Sequence, residues 1–227
     1  MSIKIKILNK ELRLKIVKYI KKAKEGHIPS SLSIVDIINY LYAYVLKYKS
    51  NNPNWEKRDI FILSKGHGAM ALYVVLNKFG LLKEKELEAY GSSSSKLGGH
   101  PDMTKINFVE ASTGSLGHGI CTAVGCALAS KIKKNKNKIY CLIGDGEAHE
   151  GTVWEVANIA ANRKLDNITV IVDHNKSAEQ LMPIDNLKLK WKAFGWNVAE
   201  CDGHSNTSIS ESIKKISKYK NKKPNVI

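Results

Sequence analysis

The stretch Leu142–Glu179, LIGDGEAHEGTVWEVANIAANRKLDNITVIVDHNKSAE, decides the fold. Runs rich in β-branched residues at Lys138–Ile143 and Ile168–Val172 flank a segment in which Val153, Val156, Ala157 and Ala160 recur at helical spacing, so the order is strand, helix, strand. In such a unit the strands lie parallel and their carboxyl ends open on one side of the sheet. The first strand runs into Gly144-Asp145-Gly146 and the second into Asp173-His174-Asn175. Asp145 offers a hard anionic oxygen and Asn175 a neutral one, while Gly144 and Gly146 let backbone approach a phosphate. Together they suit Mg²⁺ shared with a diphosphate. A Gly-Asp-Gly in isolation is most often only a turn.

With 227 residues, 43% of them hydrophobic, the chain has the material for one α/β domain with a sizeable core. No apolar run reaches the roughly 20 residues of a membrane span, and the lysine-bearing start MSIKIKILNK lacks a secretory signal's apolar centre, so a cytoplasmic protein without membrane contact is expected. Cys121, Cys126, Cys141 and Cys201 form no CxxC pair and read as buried free thiols. The formal charge of +15 raises the question of nucleic acid, yet only Arg13, Arg58 and Arg163 among the 36 basic residues are arginine. Phosphate and base recognition favours the arginine fork, so the reading is a solvated lysine-rich surface and nucleic acid is not the expected partner.

From the amino end, Leu12, Ile16, Val17, Ile20 and Ala23 define an amphipathic helix over residues 9–24 that ends near Gly26. The loop Glu25–Ser31 follows, carrying His27, and Ser33 is positioned to cap a second helix with Ile34, Ile37, Ile38, Leu41 and Val45 inward. A short strand over Asp59–Leu63 leads into Ser64-Lys65-Gly66-His67-Gly68 and another helix. Strand, glycine-rich turn and helix is a geometry that presents backbone N–H groups to an anion, with His67 in its mouth. Residues 91–104, GSSSSKLGGHPDMT, are a long loop holding His100, of the kind that is often functional. Ser112–Gly119 then enters a helix rich in small residues, Ala123, Gly125, Ala127 and Ala129, suited to close packing or a subunit contact. Beyond the central unit the pattern predicts a helix over Leu187–Phe194, a strand over Trp196–Ala199, a turn over Asp202–Ser205, a helix from about Ile209 to Tyr219, and a strand beginning at Lys223.

Taken in order, these motifs resemble the transketolase family, and in particular the N-terminal subunits of transketolases split over two chains. The resemblance rests on GHIPSSLS at 26–33, SKGHGAMALY at 64–73, GGHPD at 98–102, STGSLGHG at 112–119, and GDG at 144–146 followed by Asn175. It implies a parallel sheet with helices on both faces, the thiamine diphosphate-binding fold, in which thiamine diphosphate and Mg²⁺ lie at the strand ends. Asp145 and Asn175 are implied as metal ligands with the carbonyl of Ser177, and Gly114, Leu116, Gly144 and Gly146 as cofactor contacts. His27, His67 and His100 match family histidines that line the substrate channel, His67 also touching the cofactor, and imidazole suits proton handling near neutral pH. Glu150 matches a cofactor-site glutamate that links two active sites across a dimer, so self-association is expected. His174 departs from the broadest form of the motif, which has a second Asn there.

The implied activity is transfer of a two-carbon ketol unit between sugar phosphates. Nothing in the chain resembles the family's pyrimidine-binding domain, which would come from a C-terminal partner subunit. Family N-terminal subunits also continue into a Lys-Gly-rich segment and a further histidine, so the expectation is a single domain over 1–227 that ends early. The alternatives are half of another thiamine diphosphate enzyme acting on an unusual sugar, or a non-catalytic assembly partner. A 2-oxo acid dehydrogenase subunit fits the SxGHG and GGHPD blocks poorly.

Overall fold

Alternation within the strands assigns the helices to two faces. The computed structural model describes residues 2–179 and 181–227, with side chains from Asn9 onward. Five parallel strands, β1 (Ile60–Leu63), β2 (Ile139–Gly144), β3 (Ile168–Asp173), β4 (Asn197–Val198) and β5 (Asn225–Val226), form one sheet in the order β1-β2-β3-β5-β4. Successive side chains of a strand point to opposite faces. Phe61, Leu63, Leu142 and Ile171 enter one core with α1 (Ser2–Ala23), α2 (Ile28–Tyr44), α3 (Ala69–Lys78), α4 (Glu84–Glu88) and α8 (Asn206–Ser217). Ile62, Cys141, Ile143 and Val170 enter the other with α5 (His118–Ile132), α6 (Gly151–Asn162) and α7 (Leu187–Ala193). The expected α/β sheet with helices on both faces is what the chain forms.

The central unit is β2, α6 and β3. Val153, Ala157 and Ala160 of α6 are fully buried, and the register runs from Ile139 opposite Ile168 to Gly144 opposite Asp173. The two strands therefore end level, which sets the Asp145 and Asn175 loops side by side.

Several boundaries differ from the sequence reading. α2 begins at Ile28, with His27 as its N-cap and Pro29 in the first turn, so Ser33 lies inside the helix and caps nothing. Proline is tolerated there because the N–H it lacks has no intrahelical partner. α8 starts at Asn206, three residues early, because the Ser205 hydroxyl accepts from the Ser208 N–H. α1 extends back to Ser2, and α4, too short for periodicity to register, has no counterpart in the sequence pattern. All four cysteines are free, but only Cys141 is fully buried. Among the described residues no helix is long and apolar enough to cross a membrane.

The small residues of α5 serve close packing on one side only. A Cβ at Gly119 would lie 2.6 Å from Ser64 Cα, whereas one at Gly125 would meet nothing within 4 Å. Gly119→Ala is therefore expected to destabilise the chain by about 1–3 kcal/mol through overpacking, and Gly125→Ala to stabilise it by about 0.5–1 kcal/mol through helix propensity. Urea denaturation of the two variants checks both signs.

Candidate functional site

The carboxyl edge of the sheet gathers loops from distant parts of the chain. His27 caps α2, His67 stands in the 3-10 turn Gly66–Gly68 that follows β1, and His100 lies in the long loop between α4 and α5. The His27 ring centroid is 5.6 Å from that of His67 and 6.3 Å from that of His100, so the three predicted histidines share one cleft. The long loop is fixed rather than loose at this point. The Tyr73 hydroxyl donates to the carbonyls of Gly98 (3.1 Å) and His100 (3.0 Å), and the Gly99 N–H donates to Glu25 Oε1 at 2.9 Å. A Cβ on Gly66 would fall 2.8 Å from the Gly114 nitrogen, and one on Gly114 would meet His100 Cδ2 at 3.1 Å. Glycine at both positions lets the SKGHG turn, the STGSLGHG loop and His100 close up.

One expectation fails here. The Gly66 N–H donates to the Ser64 carbonyl at 2.7 Å and that of Gly68 to the Lys65 carbonyl at 2.9 Å, so the glycine turn closes on itself and does not offer these groups to an anion. What the turn presents is the His67 ring. Burial chiefly, and then the nearby Lys65, His27 and His100, lower its pKa from 6.5 to about 4, against an opposing pull from Asp173. His67 is thus a neutral imidazole near pH 7, able to accept or donate a proton.

The Asp145 loop and the loop carrying Asn175 and Ser177 are joined through the Lys176 N–H. Asp145 is 2% exposed, and its oxygens accept from the N–H groups of Gly146 (2.8 Å) and Lys176 (2.7 Å). It forms no ion pair among the described residues. Asn175 Oδ1 accepts from the Ser177 N–H at 2.9 Å. Lys176 between them has φ 63°, a left-handed conformation costly for a residue with a side chain, and it turns the two N–H groups toward the two ligand candidates. A buried carboxylate with no ion pair among the described residues, in a loop hydrogen-bonded to the one that carries Asn175 and Ser177, has the donor chemistry for Mg²⁺, which takes few protein ligands and keeps waters and phosphate oxygens. No cluster of three or more His, Cys, Asp or Glu side chains suited to a metal occurs among the described residues.

The polar groups beneath this floor leave no local signature in the sequence. Lys65, 1% exposed, reaches under Gly144 to Asp173, with Nζ 2.5 Å from Oδ2. Asp173 also accepts from the Ser33 hydroxyl (2.8 Å) and from Asn175 Nδ2 (3.0 Å). Glu147, 1% exposed, accepts from the Ser64 hydroxyl and from the N–H groups of Gly117 (2.9 Å) and Gly144 (3.2 Å), tying three loops together, and burial raises its pKa. Glu150 is exposed at the N-cap of α6 and makes no capping bond with its side chain. Leu116 is half-buried, and a Cβ on Gly146 would meet only Ala178 Cβ, at 3.4 Å.

Residues 5–227 match the family model described as transketolase, thiamine diphosphate binding domain. The chain is 36% identical over 228 residues to one of the subunits of the apulose-4-phosphate transketolase from Phocaeicola vulgatus, covering 98% of this chain and 80% of that one. It is 38% identical over 208 residues to a 6-deoxy-6-sulfo-D-fructose transketolase subunit of a Clostridium species, covering 89% and 76%. The crystal structure of transketolase from Campylobacter jejuni superposes with a TM-score of 0.93 at 33% identity, over all of this chain and 37% of that one. This chain therefore spans most of the separate subunits and little more than a third of the undivided enzyme.

The depressed His67 pKa has a measurable consequence. The unfolded chain binds this proton near pH 6.5 and the folded chain only near pH 4, so the unfolded state holds more protons between those values and stability falls as pH drops through the window. His67→Gln is expected to lose less stability than the parent across it, by on the order of 1 kcal/mol after discounting for solvent screening of a half-buried group. Denaturant midpoints at several pH values check this; parallel pH slopes for the two proteins would contradict it.

Proposed function

Because this chain belongs to the transketolase family through its thiamine diphosphate binding domain, we propose that it is the diphosphate-binding half of a two-chain enzyme that transfers a two-carbon ketol unit between sugar phosphates. The observation that carries this reading is a buried Asp145, without an ion pair among the described residues, in a loop joined to that of Asn175 and Ser177 at the edge that also holds His27, His67 and His100. In this reading residues 1–227 form one domain. Asp145, Asn175 and the Ser177 carbonyl would hold Mg²⁺, and Gly114, Leu116, Gly144 and Gly146 would border thiamine diphosphate. When bound, thiamine diphosphate supplies a carbon nucleophile for a ketose carbonyl and a ring that stores the resulting negative charge.

The chain's own residues bind, orient and move protons. Neutral His67 stands beside the cofactor position, and His27 and His100, on the open side of the cleft, are placed to hydrogen-bond and relay the hydroxyl protons of a sugar. Glu150, exposed and unengaged, is available to a second copy of the chain, in keeping with self-association. The C-terminal partner subunit would supply the pyrimidine-binding domain. The four free cysteines accord with a cytoplasmic location.

The names of the relatives bear on the substrate. Two of them are subunits of transketolases for apulose 4-phosphate and for 6-deoxy-6-sulfo-D-fructose, so a donor outside the common sugar phosphates is the reading to set beside the general one. A panel of ketose phosphates and sulfonated ketoses, assayed with the chain and its C-terminal partner, separates the two.

Activity is expected only when both chains, thiamine diphosphate and Mg²⁺ are combined; full activity of the solitary chain would overturn the proposal. Asp145→Ala is expected to weaken Mg²⁺-dependent cofactor binding by at least about 100-fold, since it removes the one carboxylate among the three proposed protein ligands. Calorimetric titration reads this loss directly.

A further inference from the structure

We propose that Asp173 is the positioning residue of the metal site: its carboxylate, anchored by Lys65 and Ser33, takes the N–H side of the Asn175 amide and so keeps the amide oxygen on the cation side. This role rests on the Mg²⁺-diphosphate reading of the cleft and goes beyond it, because Asp173 is not itself among the implied ligands.

An asparagine side chain is nearly symmetric in shape. Its two ends differ little in size, and rotation about the last bond exchanges an acceptor for a donor. At a cation site the wrong rotamer turns two N–H groups toward a positive charge. Here both ends are committed. Nδ2 donates to Asp173 Oδ2 at 3.0 Å, and Oδ1 accepts from the Ser177 N–H at 2.9 Å, leaving one oxygen lone pair for a metal. A flipped amide would set its oxygen against the Asp173 carboxylate and its N–H against the Ser177 N–H, unfavourable at both ends.

Asp173 is itself immobilised from three directions. It ends β3, opposite Gly144. Its Oδ1 accepts from Ser33 of α2 at 2.8 Å, and its Oδ2 lies 2.5 Å from Lys65 Nζ. Both ions are almost wholly removed from water, with side-chain exposures of 2% and 8%. Lys65 has a further effect, because a bare carboxylate at this point would compete with Asp145 for the cation. Paired with Lys65, Asp173 orients the ligand while its charge is already compensated. Its backbone contributes as well, since its carbonyl accepts from the Asp145 N–H at 3.1 Å, coupling both ligand-bearing loops to one residue. Outer partners of this kind commonly change metal affinity by about 10–100-fold when altered.

The plainer reading is that the Lys65–Asp173 pair only fastens β1 and α2 to β3. A double-mutant cycle with Asn175 separates the two, because a fastening role acts whether or not Asn175 is present. Mn²⁺, followed by electron paramagnetic resonance, serves as the probe, with the full chain and saturating thiamine diphosphate. Asp173→Asn is expected to weaken Mn²⁺ binding by about 10–100-fold in the parent and less than about threefold in an Asn175→Ala background. Ser33→Ala, a milder change that removes one anchor, is expected to weaken it about fivefold.

If Asp173→Asn does not fold, Ser33→Ala, alone and combined with Asn175→Ala, decides by the same comparison. Equal losses in both backgrounds, or affinity within about twofold of the parent, would overturn the positioning role while leaving the metal site intact. No Mn²⁺ binding by the parent chain would instead overturn the metal-site reading itself, and the positioning role with it.

Discussion

The interaction on which the cleft depends is the buried contact of Lys65 with Asp173. It spans from the turn after β1 to the end of β3, passing beneath Gly144 of β2. Removing two such ions from water costs several kcal/mol each, and a buried pair seldom repays that in net stability. Its retention is understandable through what it arranges. Asp173 takes Ser33 and Asn175 in addition to Lys65, while the Lys65 charge helps keep His67 neutral. One ion pair thereby joins the loop of Asn175 to the histidine side.

Glu147 plays the matching part on the other flank. A carboxyl that is 1% exposed accepts from the Ser64 hydroxyl after β1, from the Gly117 N–H before α5 and from the Gly144 N–H at the end of β2. Above this polar floor the strain lies at Lys176, between the ligand candidates. Lys176 sits in the left-handed region so that its own N–H and the next one can reach Asp145 and Asn175. The rigid β2–α6–β3 unit, with its strands ending level, supplies the precision that loops alone would lack.

Much of this is legible in the sequence because it is periodic or local. The β2–α6–β3 order follows from β-branched runs and the spacing of Val153, Ala157 and Ala160, and the joining of the Asp145 loop to that of Asn175 follows from parallel strands. His27, His67 and His100 emerge through a resemblance; composition alone does not single them out. What stays hidden is long-range. Lys65 and Asp173 are 108 positions apart and Ser64 and Glu147 are 83 apart, and no spacing rule links them. In the sequence Lys65 looks like one more of many surface lysines, although it is among the most buried side chains in the molecule. Ser33 has the chemistry of a helix cap, but Pro29 lies inside the first turn and the helix starts before it.

Whether the strand-end floor binds a metal-diphosphate is read from diffraction by crystals soaked with thiamine diphosphate and Mn²⁺, through the anomalous signal of the metal. One strong peak is expected, coordinated by the Asp145 carboxylate, the Asn175 amide oxygen and the Ser177 carbonyl, with diphosphate oxygens completing the shell. A well-occupied cofactor with the metal bound elsewhere, or an Asn175 amide turned with its nitrogen toward the peak, would contradict it.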